Sequence, residues 1–207
     1  MIPFKAKQRK SRLSKVLTSA ERSKISELML LDVIQALRGA ALLPICYVVT
    51  SDRSALALSR KACARTIQEQ GDSGVSRAVA VGMSALSTVE DFVVIPSDLP
   101  MLSSAEVRYA IGLKKSFECV LAPSRSFDGT NLLAFSRLKA PPLSYDSDSF
   151  WNHIRGIARK GMSLAVCCGE GIASDVDTPT DLMLLAGSGS KRASAEFARE
   201  VLARRPS

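Results

Sequence analysis

The stretch Val93–Pro100, which reads VVIPSDLP, indicates both the class of fold and the position of a functional site. Its apolar, β-branched start is typical of a central parallel strand that is buried on both faces. Pro96 and Pro100 fix φ and lack an amide proton, so strand pairing should stop here and leave Asp98 in a stiff turn. Ligands of open α/β sheets bind at the carboxyl ends of such strands. We therefore take Asp98 as a candidate catalytic and metal-binding residue, with capping of the following helix as the alternative.

A second acidic cluster lies closer to the C-terminus. Asp175 and Asp177 are two residues apart, which in an extended segment points both carboxylates to the same side. Together with Asp98 they form an oxygen-rich set that suits Mg²⁺. Helix capping is again the alternative, because Thr178 is a suitable N-cap and Asp181 follows three residues later. We assign Asp181 to the helix and Asp177 to the metal.

The rest of the chain alternates between strand and helix patterns. Strands are predicted at 44–50, 65–69 and 119–123 beside the one that leads to Asp98, and helices at 19–39, 54–64, 75–86, 103–114 and 149–160. Crossovers of this length form right-handed βαβ units. The fold class is therefore α/β, with a doubly wound, mostly parallel sheet and helices on both faces.

Two segments depart from this alternation. A turn, a short strand at 132–135 and a polar loop at 145–150 predict a small substrate cap. Residues 187–190 read GSGS and precede a short basic amphipathic segment. This composition predicts a flexible linker and a C-terminal tail over 187–207, and a main domain over 1–186.

Composition limits the class of protein. The chain has 207 residues, of which 46% are hydrophobic and 23% charged, as expected for one globular enzyme domain. No apolar run approaches the roughly 18 residues that span a bilayer, and the N-terminus lacks the order of a signal peptide. We expect a cytoplasmic protein that does not bind membranes.

The positive charge is concentrated at the N-terminus. Residues 1–24 carry a net charge of +7, against +8 for the whole chain. Nucleic-acid binding is one interpretation, but the aromatic residues that would stack on bases are missing apart from Phe4. A small polyanion fits as well, since Lys10 and Arg12 follow a first short strand and could hold a nucleoside triphosphate.

Six motifs in this order resemble those of the 2-phospho-L-lactate guanylyltransferases over residues 1–186. The motifs are Ile2–Lys5, Lys10–Ser14, Pro96–Pro100, Asp128–Asn131, Ser149–His153 and Asp175–Leu182. The resemblance implies the nucleotidyltransferase fold shared with molybdenum-cofactor guanylyltransferases. It also implies transfer of GMP from GTP to the phosphate of 2-phospho-L-lactate, a step of coenzyme F-420 biosynthesis.

The resemblance also implies roles for individual residues. The implied Mg²⁺ ligands are the three acids already named. The implied contacts to the triphosphate are Lys10 and Arg12, which are basic. The implied contacts to the acceptor acid are one cation and two hydroxyls, Lys5, Thr130 and Ser149. No protein nucleophile is required, because an oxygen of the acceptor phosphate attacks the α-phosphorus.

The chain departs from the family pattern at two motifs. Gly74 and Ser76 are candidate GTP contacts, but Ser76 stands where the family has Asn. Asp146 follows a tyrosine where the family has Gly, and so places a carboxylate beside the proposed acceptor site. His153, the one histidine, is expected to make a structural hydrogen bond rather than act as a general base, since a phosphate acceptor is already ionised.

Several alternatives stay open at this stage. Phosphoenolpyruvate is the alternative acceptor, and a nucleotidyltransferase acting on a molybdopterin or a sugar phosphate is the nearer rival class. Those relatives have a glycine-rich loop where this chain has Ala6–Arg9, which argues against that class. A nucleic-acid-binding protein is the more distant rival. A homodimer is compatible with the sequence, which does not determine the oligomeric state.

Overall fold

The strands form two sheets. The computed structural model describes residues 1–5, 10–72 and 74–204. In chain order the strands are β1 (Ile2–Pro3), β2 (Tyr47–Thr50), β3 (Arg65–Gln68), β4 (Asp91–Val94), β5 (Cys119–Pro123), β6 (Thr130–Ser136) and β7 (Leu164–Val166). The first sheet has the order β1-β2-β3 and is parallel, and the second has the order β4-β6-β5-β7.

Seven α-helices lie in the described part of the chain. They are α1 (Ser19–Gly39), α2 (Arg53–Lys61), α3 (Val75–Ala85), α4 (Ser104–Leu113), α5 (Ser149–Arg159), α6 (Pro179–Gly187) and α7 (Ala193–Ala203). The capping boxes predicted at Thr18 and Thr178 are confirmed, and each side chain accepts a hydrogen bond from the amide three residues on. In the described ranges, none of the helices has the length and apolar character needed to cross a bilayer.

The two sheets meet at the start of the chain. The amino group of Met1 donates to the carbonyl of Val93 at 2.7 Å, and the amide of Ile95 donates to the carbonyl of Met1 at 3.1 Å. These bonds place β1 beside β4, so the strands run in the order β3-β2-β1-β4-β6-β5-β7. The carboxyl ends of β1 and β4 therefore come together at one edge.

The short strand predicted at 132–135 is β6, and it is a strand of the main sheet rather than part of a separate substrate cap. It runs antiparallel between β4 and β5, with Leu133 opposite both Val94 and Leu121. The reason is the connection: 124–129 is too short for a parallel crossover and can only turn the chain back as a hairpin. The sheet is therefore mixed, and β6 belongs to its centre.

Helices cover both faces of the sheet, as the alternating pattern predicts. Along β5, Val120 and Ala122 point to the core under α1 and α4, whereas Cys119 and Leu121 point to the core under α3 and α5. Successive side chains of a strand point to opposite faces, so a strand covered on both sides is apolar throughout. The α/β, doubly wound class is confirmed.

The C-terminal segment packs against the body of the protein, unlike the flexible tail that its composition suggests. The apolar face of α7, with Ala195, Ala198 and Val201, joins a core formed with α1 and α6. The amide of Ser194 also donates to Asp32 Oδ2 of α1 at 3.3 Å. The boundary expected after residue 186 falls inside α6. Residues 205–207 lie outside the described part of the chain, as do Lys7 and Arg9 of the basic segment.

This packing predicts unequal effects at two adjacent leucines of α6. Leu185 is 3% exposed in the core shared with α7, whereas Leu184 is 50% exposed. Leu185→Ala should lower the free energy of unfolding by about 2–5 kcal/mol because it leaves a cavity. Leu184→Ala should cost less than about 1 kcal/mol. Urea unfolding of both variants tests this, and equal losses would contradict the observed packing of α6.

Candidate active site

A cavity of about 1200 Å³ opens at the carboxyl edge of the sheet. Residues that follow β4, β5 and β7 line it, together with Thr130 at the start of the antiparallel strand β6. This is the expected ligand position in an open α/β sheet. Among the described residues, nine acidic side chains and two arginines, Arg12 and Arg125, form part of the lining. A negatively charged ligand would therefore need additional cations to enter.

Asp98 lies at this edge as predicted, although β4 ends earlier, at Val94. Its side chain is buried, and its carboxylate accepts a hydrogen bond from Lys10 Nζ at 3.2 Å. Asp98 does not cap the next helix, because Ser103 is the N-cap of α4. The backbone carbonyl of Asp98 accepts a hydrogen bond from the amide of Val176 at 3.1 Å. That bond holds the two acidic segments side by side.

The second acidic cluster faces the same place. Asp177 Oδ1 accepts a hydrogen bond from Lys10 Nζ at 2.6 Å, so Asp98 and Asp177 share one ammonium group. Asp175 Oδ1 accepts from Asn131 Nδ2 at 3.0 Å. The pKa of Asp175 is raised to about 6, chiefly by burial; the hydrogen bond from Asn131 opposes the rise, and the charges of Asp98 and Asp177 add to it. The structure thus brings the three predicted acids together.

Lys10 takes a position that the sequence did not indicate. Its buried ammonium group contacts Asp98, which is also buried, the backbone carbonyl of Val176, and Asp177, whose side chain is 43% exposed. The backbone of Lys10 has φ 80°, a left-handed conformation that is uncommon for a residue with a side chain. Carboxylates taken out of water need a counter-charge, and Lys10 supplies it here. The predicted contact with a triphosphate is not tested by this arrangement.

The oxygen atoms around Lys10 Nζ are chemically suited to a hard divalent cation. Two carboxylates and a carbonyl converge on one positive charge, and Mg²⁺ prefers such oxygen ligands. Within the described residues, no group of three or more His, Cys, Asp or Glu side chains is arranged to hold a metal ion. A cation at this position would therefore have to take the place of the Lys10 ammonium.

Two predicted acceptor contacts lie together in the lining of the same cavity. Ser149 Oγ donates to Thr130 Oγ1 at 3.3 Å, and both side chains are buried at the cavity lining. His153 Nδ1 lies 2.9 Å from the same Thr130 oxygen. Ser149 and His153 are one helical turn apart at the start of α5, which explains why both reach Thr130. The expected structural hydrogen bond of His153 is present.

The two departures from the family pattern lie near each other. The amide of Tyr145 donates to Ser76 Oγ at 3.1 Å, so the Ser76 side chain joins α3 to the loop that carries Asp146. Asp146 is exposed and lines the cavity. Gly74 precedes α3 with φ 86°, a conformation that favours glycine. Ser76 and Gly74 do not belong to the lining of the acidic cavity, and their GTP contacts stay predictions.

Lys5 does not join Thr130 and Ser149, contrary to the expected grouping. It is buried, and its ammonium group pairs with Glu69 and lies 3.3 Å from Asp72 Oδ1. The physical reason is strand order: Lys5 follows β1, and β2 and β3 lie on the side of β1 away from Thr130. An acceptor contact by Lys5 is not supported by this placement.

A second cavity of about 630 Å³ lies at the carboxyl ends of β2 and β3. It is lined by 50–54 and by Gly71 and Asp72, so it borders the Lys5 cluster. Its position on the first sheet separates it from the acidic cavity on the second sheet. The carboxyl edge therefore offers two neighbouring spaces, as a reaction with two substrates requires.

Two lining residues escaped the sequence interpretation. Asn131 holds Asp175 and also donates to the carbonyl of Ile172 at 3.0 Å. Its place in the quoted motif Asp128–Asn131 was the available signal. Arg125 donates from its guanidinium to Ser174 Oγ at 2.9 Å. Nothing in the sequence marked Arg125 as a residue of the cavity. It lies in a loop, and only the folded chain brings that loop beside residues 173–174.

Comparison with known proteins identifies relatives along almost the whole chain. The family description that matches is "Guanylyl transferase CofC like", over residues 1–204. A 2-phospho-L-lactate guanylyltransferase of Methanocaldococcus infernus is 33% identical over 183 residues, which is 87% of this chain and 81% of that protein. A 3-phospho-D-glycerate guanylyltransferase of Phenylobacterium zucineum is 32% identical, over 94% and 92% of the two chains. A phosphoenolpyruvate guanylyltransferase of Rubrobacter xylanophilus is also 32% identical, over 87% and 88%.

Solved structures support the fold. A Desulfovibrio desulfuricans protein assigned as a nucleotide-diphospho-sugar transferase superposes with a TM-score of 0.74 at 18% identity, and the match covers 98% of this chain and 94% of that one. The molybdopterin-guanine dinucleotide biosynthesis protein A of Archaeoglobus fulgidus gives a TM-score of 0.51 at 14% identity, with 99% of both chains covered. The predicted fold class and nucleotidyltransferase class are confirmed. The chain belongs to the CofC-like guanylyl transferases.

Proposed function

We propose that this enzyme transfers GMP from GTP to the phosphate of 2-phospho-L-lactate and releases pyrophosphate. One observation carries the proposal most directly: a cation, the Lys10 ammonium, sits between Asp98 and Asp177, which line the acidic cavity. The paired hydroxyls of Thr130 and Ser149 line the same cavity. A cation position and a hydroxyl donor at one cavity suit the joining of two phosphates.

Asp98, Asp175 and Asp177 are the proposed Mg²⁺ ligands. In the described structure Asp98 and Asp177 converge on the Lys10 ammonium while Asp175 is held by Asn131, so the three carboxylates would have to move together to bind Mg²⁺. When bound, Mg²⁺ would neutralise phosphate oxygens and stabilise the charge that develops during transfer. Lys10 would then turn from the carboxylates to the triphosphate, which is the role that the family resemblance implies for it. Arg12, at the lining, is placed to contact the same phosphates.

The two cavities suggest where each substrate binds along the carboxyl edge of the sheet. We place the guanosine at the smaller cavity near Asp72 and the start of α3, and the acceptor at Thr130 and Ser149. The phosphates of GTP would then cross the edge between them, past Asp98. Gly74 follows Asp72 closely in the chain and stays a candidate contact to the nucleotide. Ser76 bonds to the loop of Asp146 through Tyr145 and would have to reach the nucleotide from the acceptor side.

The chain's own residues act by position and charge. An acceptor phosphate oxygen attacks the α-phosphorus of GTP, the bond from that phosphorus to the bridging oxygen breaks, and pyrophosphate leaves. The attacking phosphate is already ionised, so no side chain has to remove a proton from it. Thr130 and Ser149 orient the acceptor, while Arg12 and Lys10 stabilise the leaving group, so catalysis rests on orientation and electrostatics.

A substrate matrix tests the proposal. Each of the four ribonucleoside triphosphates is incubated with 2-phospho-L-lactate, phosphoenolpyruvate or 3-phospho-D-glycerate, with Mg²⁺ or with EDTA, and released pyrophosphate is measured. We expect release with GTP, Mg²⁺ and an acceptor, fastest with 2-phospho-L-lactate. A site that distinguishes these acids by shape alone gains about 1–3 kcal/mol of selectivity. A slower reaction with phosphoenolpyruvate would therefore agree with the proposal. No release under any combination would refute the proposal.

Asp146 gives a prediction about the acceptor. Its exposed carboxylate lines the cavity, where it narrows the space and repels an anion. Asp146→Gly should raise kcat/KM for the native acceptor roughly threefold to tenfold and leave the KM for GTP unchanged. Asp146→Asn removes the charge at nearly constant volume, so it separates the effect of charge repulsion from the effect of a narrower cavity. A lower kcat/KM for the acceptor in both variants would mean that Asp146 binds the acceptor instead of repelling it.

A further inference from the structure

His153 makes two hydrogen bonds that determine where its proton lies. The side chain is fully buried, and the amide of Ser144 donates to Nε2 at 3.1 Å. A backbone amide can only donate, so Nε2 carries a lone pair and the ring is neutral. The neutral ring must then hold its proton on Nδ1, which lies 2.9 Å from Thr130 Oγ1. His153 therefore donates to Thr130.

This donation limits what the Thr130 hydroxyl can do. A hydroxyl oxygen has two acceptor lone pairs and one proton to donate. Thr130 Oγ1 accepts from His153 Nδ1 and from Ser149 Oγ, so both lone pairs are occupied. Only its proton is left for a ligand, and Thr130 lines the acidic cavity.

We propose that His153 is a positioning residue: it holds the Thr130 hydroxyl as a donor directed at an ionised oxygen of the acceptor acid. This inference rests on the proposed function, in which Thr130 contacts the acceptor. An ionised carboxylate or phosphate oxygen only accepts hydrogen bonds, so a Thr130 hydroxyl that can only donate selects for it. The Ser149 hydroxyl has already given its proton to Thr130 and acts here as a second support of that hydroxyl. His153 does not touch the acceptor, and with both ring nitrogens engaged it has no free site to take up a proton.

Burial supports the neutral ring independently of the hydrogen bonds. It lowers the pKa of His153 to about 4; the backbone of Ser149 favours the charged ring but offsets this shift only in part, and the ring contacts within hydrogen-bond geometry are those to Thr130 and Ser144. The edge of the Tyr145 ring packs against the imidazole, with 4.9 Å between ring centroids. The ring is therefore held in one orientation, which a fixed donor requires.

The first test reads the tautomer directly. The chain has one histidine, so selective ¹⁵N labelling of the untagged protein gives the signals of His153 alone. Long-range ¹H–¹⁵N spectra at pH 7 should show a neutral ring with the proton on Nδ1. A ring protonated on Nε2, or on both nitrogens, would overturn the proposal even if the enzyme is active.

The second test separates positioning from structural support. His153→Asn keeps an N–H donor near the Nδ1 position, whereas His153→Leu removes it. We expect His153→Leu to raise the KM for the acceptor about tenfold with the KM for GTP unchanged, and His153→Asn to stay within about threefold of the wild type. In the Thr130→Val background the His153→Leu change should have no further effect on the acceptor KM.

The outcomes distinguish this inference from the proposed function. A wild type that releases no pyrophosphate refutes the function. An active wild type with equal acceptor KM values in His153→Leu and the parent refutes the inference alone, as does an additive effect in the Thr130→Val background. Ser59→Ala, which removes a buried hydroxyl on α2 bonded to the Ala55 carbonyl at 2.7 Å, is the control for a general loss of stability. If His153→Leu does not fold, the tautomer spectrum and the acceptor KM of His153→Asn decide.

Discussion

Asp98→Asn and Asp177→Asn should each lower kcat about a hundredfold or more at saturating GTP and acceptor. Both carboxylates share the Lys10 ammonium, at 3.2 and 2.6 Å, and we propose that Mg²⁺ takes this position during catalysis. An amide keeps the shape of the side chain but supplies no negative charge to a hard cation. Initial rates over a range of Mg²⁺ concentrations measure the loss, and circular dichroism checks that the fold is retained.

A matched control is available on the same cavity. Asp148 is exposed, lines the cavity and has no assigned role in the reaction. Asp148→Asn removes one negative charge from the lining of the same cavity, and its activity should stay within about threefold of the wild type. Full turnover of Asp98→Asn or Asp177→Asn at saturating Mg²⁺ would contradict the metal assignment. Binding of Mn²⁺ to each variant without nucleotide, followed by electron paramagnetic resonance, separates loss of metal from loss of substrate.

Lys5→Met should destabilise the protein by about 3–5 kcal/mol, because it leaves a buried carboxylate without a partner. The side chains of Lys5 and Glu69 are both 2% exposed in their ion pair. The free energy of unfolding in urea measures the loss. The double variant Lys5→Met/Glu69→Met should regain most of the stability, because it replaces both charges with apolar groups.

An exposed ion pair provides the comparison. Lys139 is 59% exposed in its pair with Glu118, and Lys139→Met should cost less than about 1 kcal/mol. The structural role of Lys5 would be contradicted by a Lys5→Met variant as stable as the wild type with a raised KM for the acceptor. That result would restore the acceptor contact that the family resemblance implies.

Local signals in the sequence were sufficient for most of the framework. The capping boxes at Thr18 and Thr178 predicted the starts of α1 and α6, because the residues that satisfy free helix amides are neighbours in the chain. The position of Asp98 followed from the apolar run and the two prolines around it. The two-residue spacing of Asp175 and Asp177 indicated an acidic set shared with Asp98, and the structure has all three in the lining of one cavity.

Features that depend on distant contacts could not be predicted in this way. Strand β6 is antiparallel because of its hairpin connection, and its burial between β4 and β5 is visible only once the sheet is assembled. The segment 191–207 has a basic composition, yet the small apolar residues of α7 within it pack on α1 and α6. The pairing of Lys5 with Glu69 joins residues 64 positions apart. Composition and spacing carry no information on such pairs.

The site shows the same division. The hydroxyls of Thr130 and Ser149 were expected to contact the acceptor, and the structure brings them together in the lining of the larger cavity. The position of Lys10 was not expected, because the motif indicates only a basic residue near a phosphate. In the structure the nearest negative charges are the carboxylates of Asp98 and Asp177, so the ammonium group pairs with them.

The phosphorus spectrum of the reaction is the direct test of GMP transfer from GTP to the phosphate of the acceptor. The protein is incubated with GTP, 2-phospho-L-lactate and Mg²⁺, and ³¹P nuclear magnetic resonance follows every phosphorus atom. We expect GTP and the acceptor to disappear together. Pyrophosphate and an unsymmetrical diphosphate, which gives two coupled doublets, should appear in equal amounts. Formation of GDP and orthophosphate with the acceptor unchanged, or no reaction with any phosphorylated acid of the matrix, would contradict the proposed transfer.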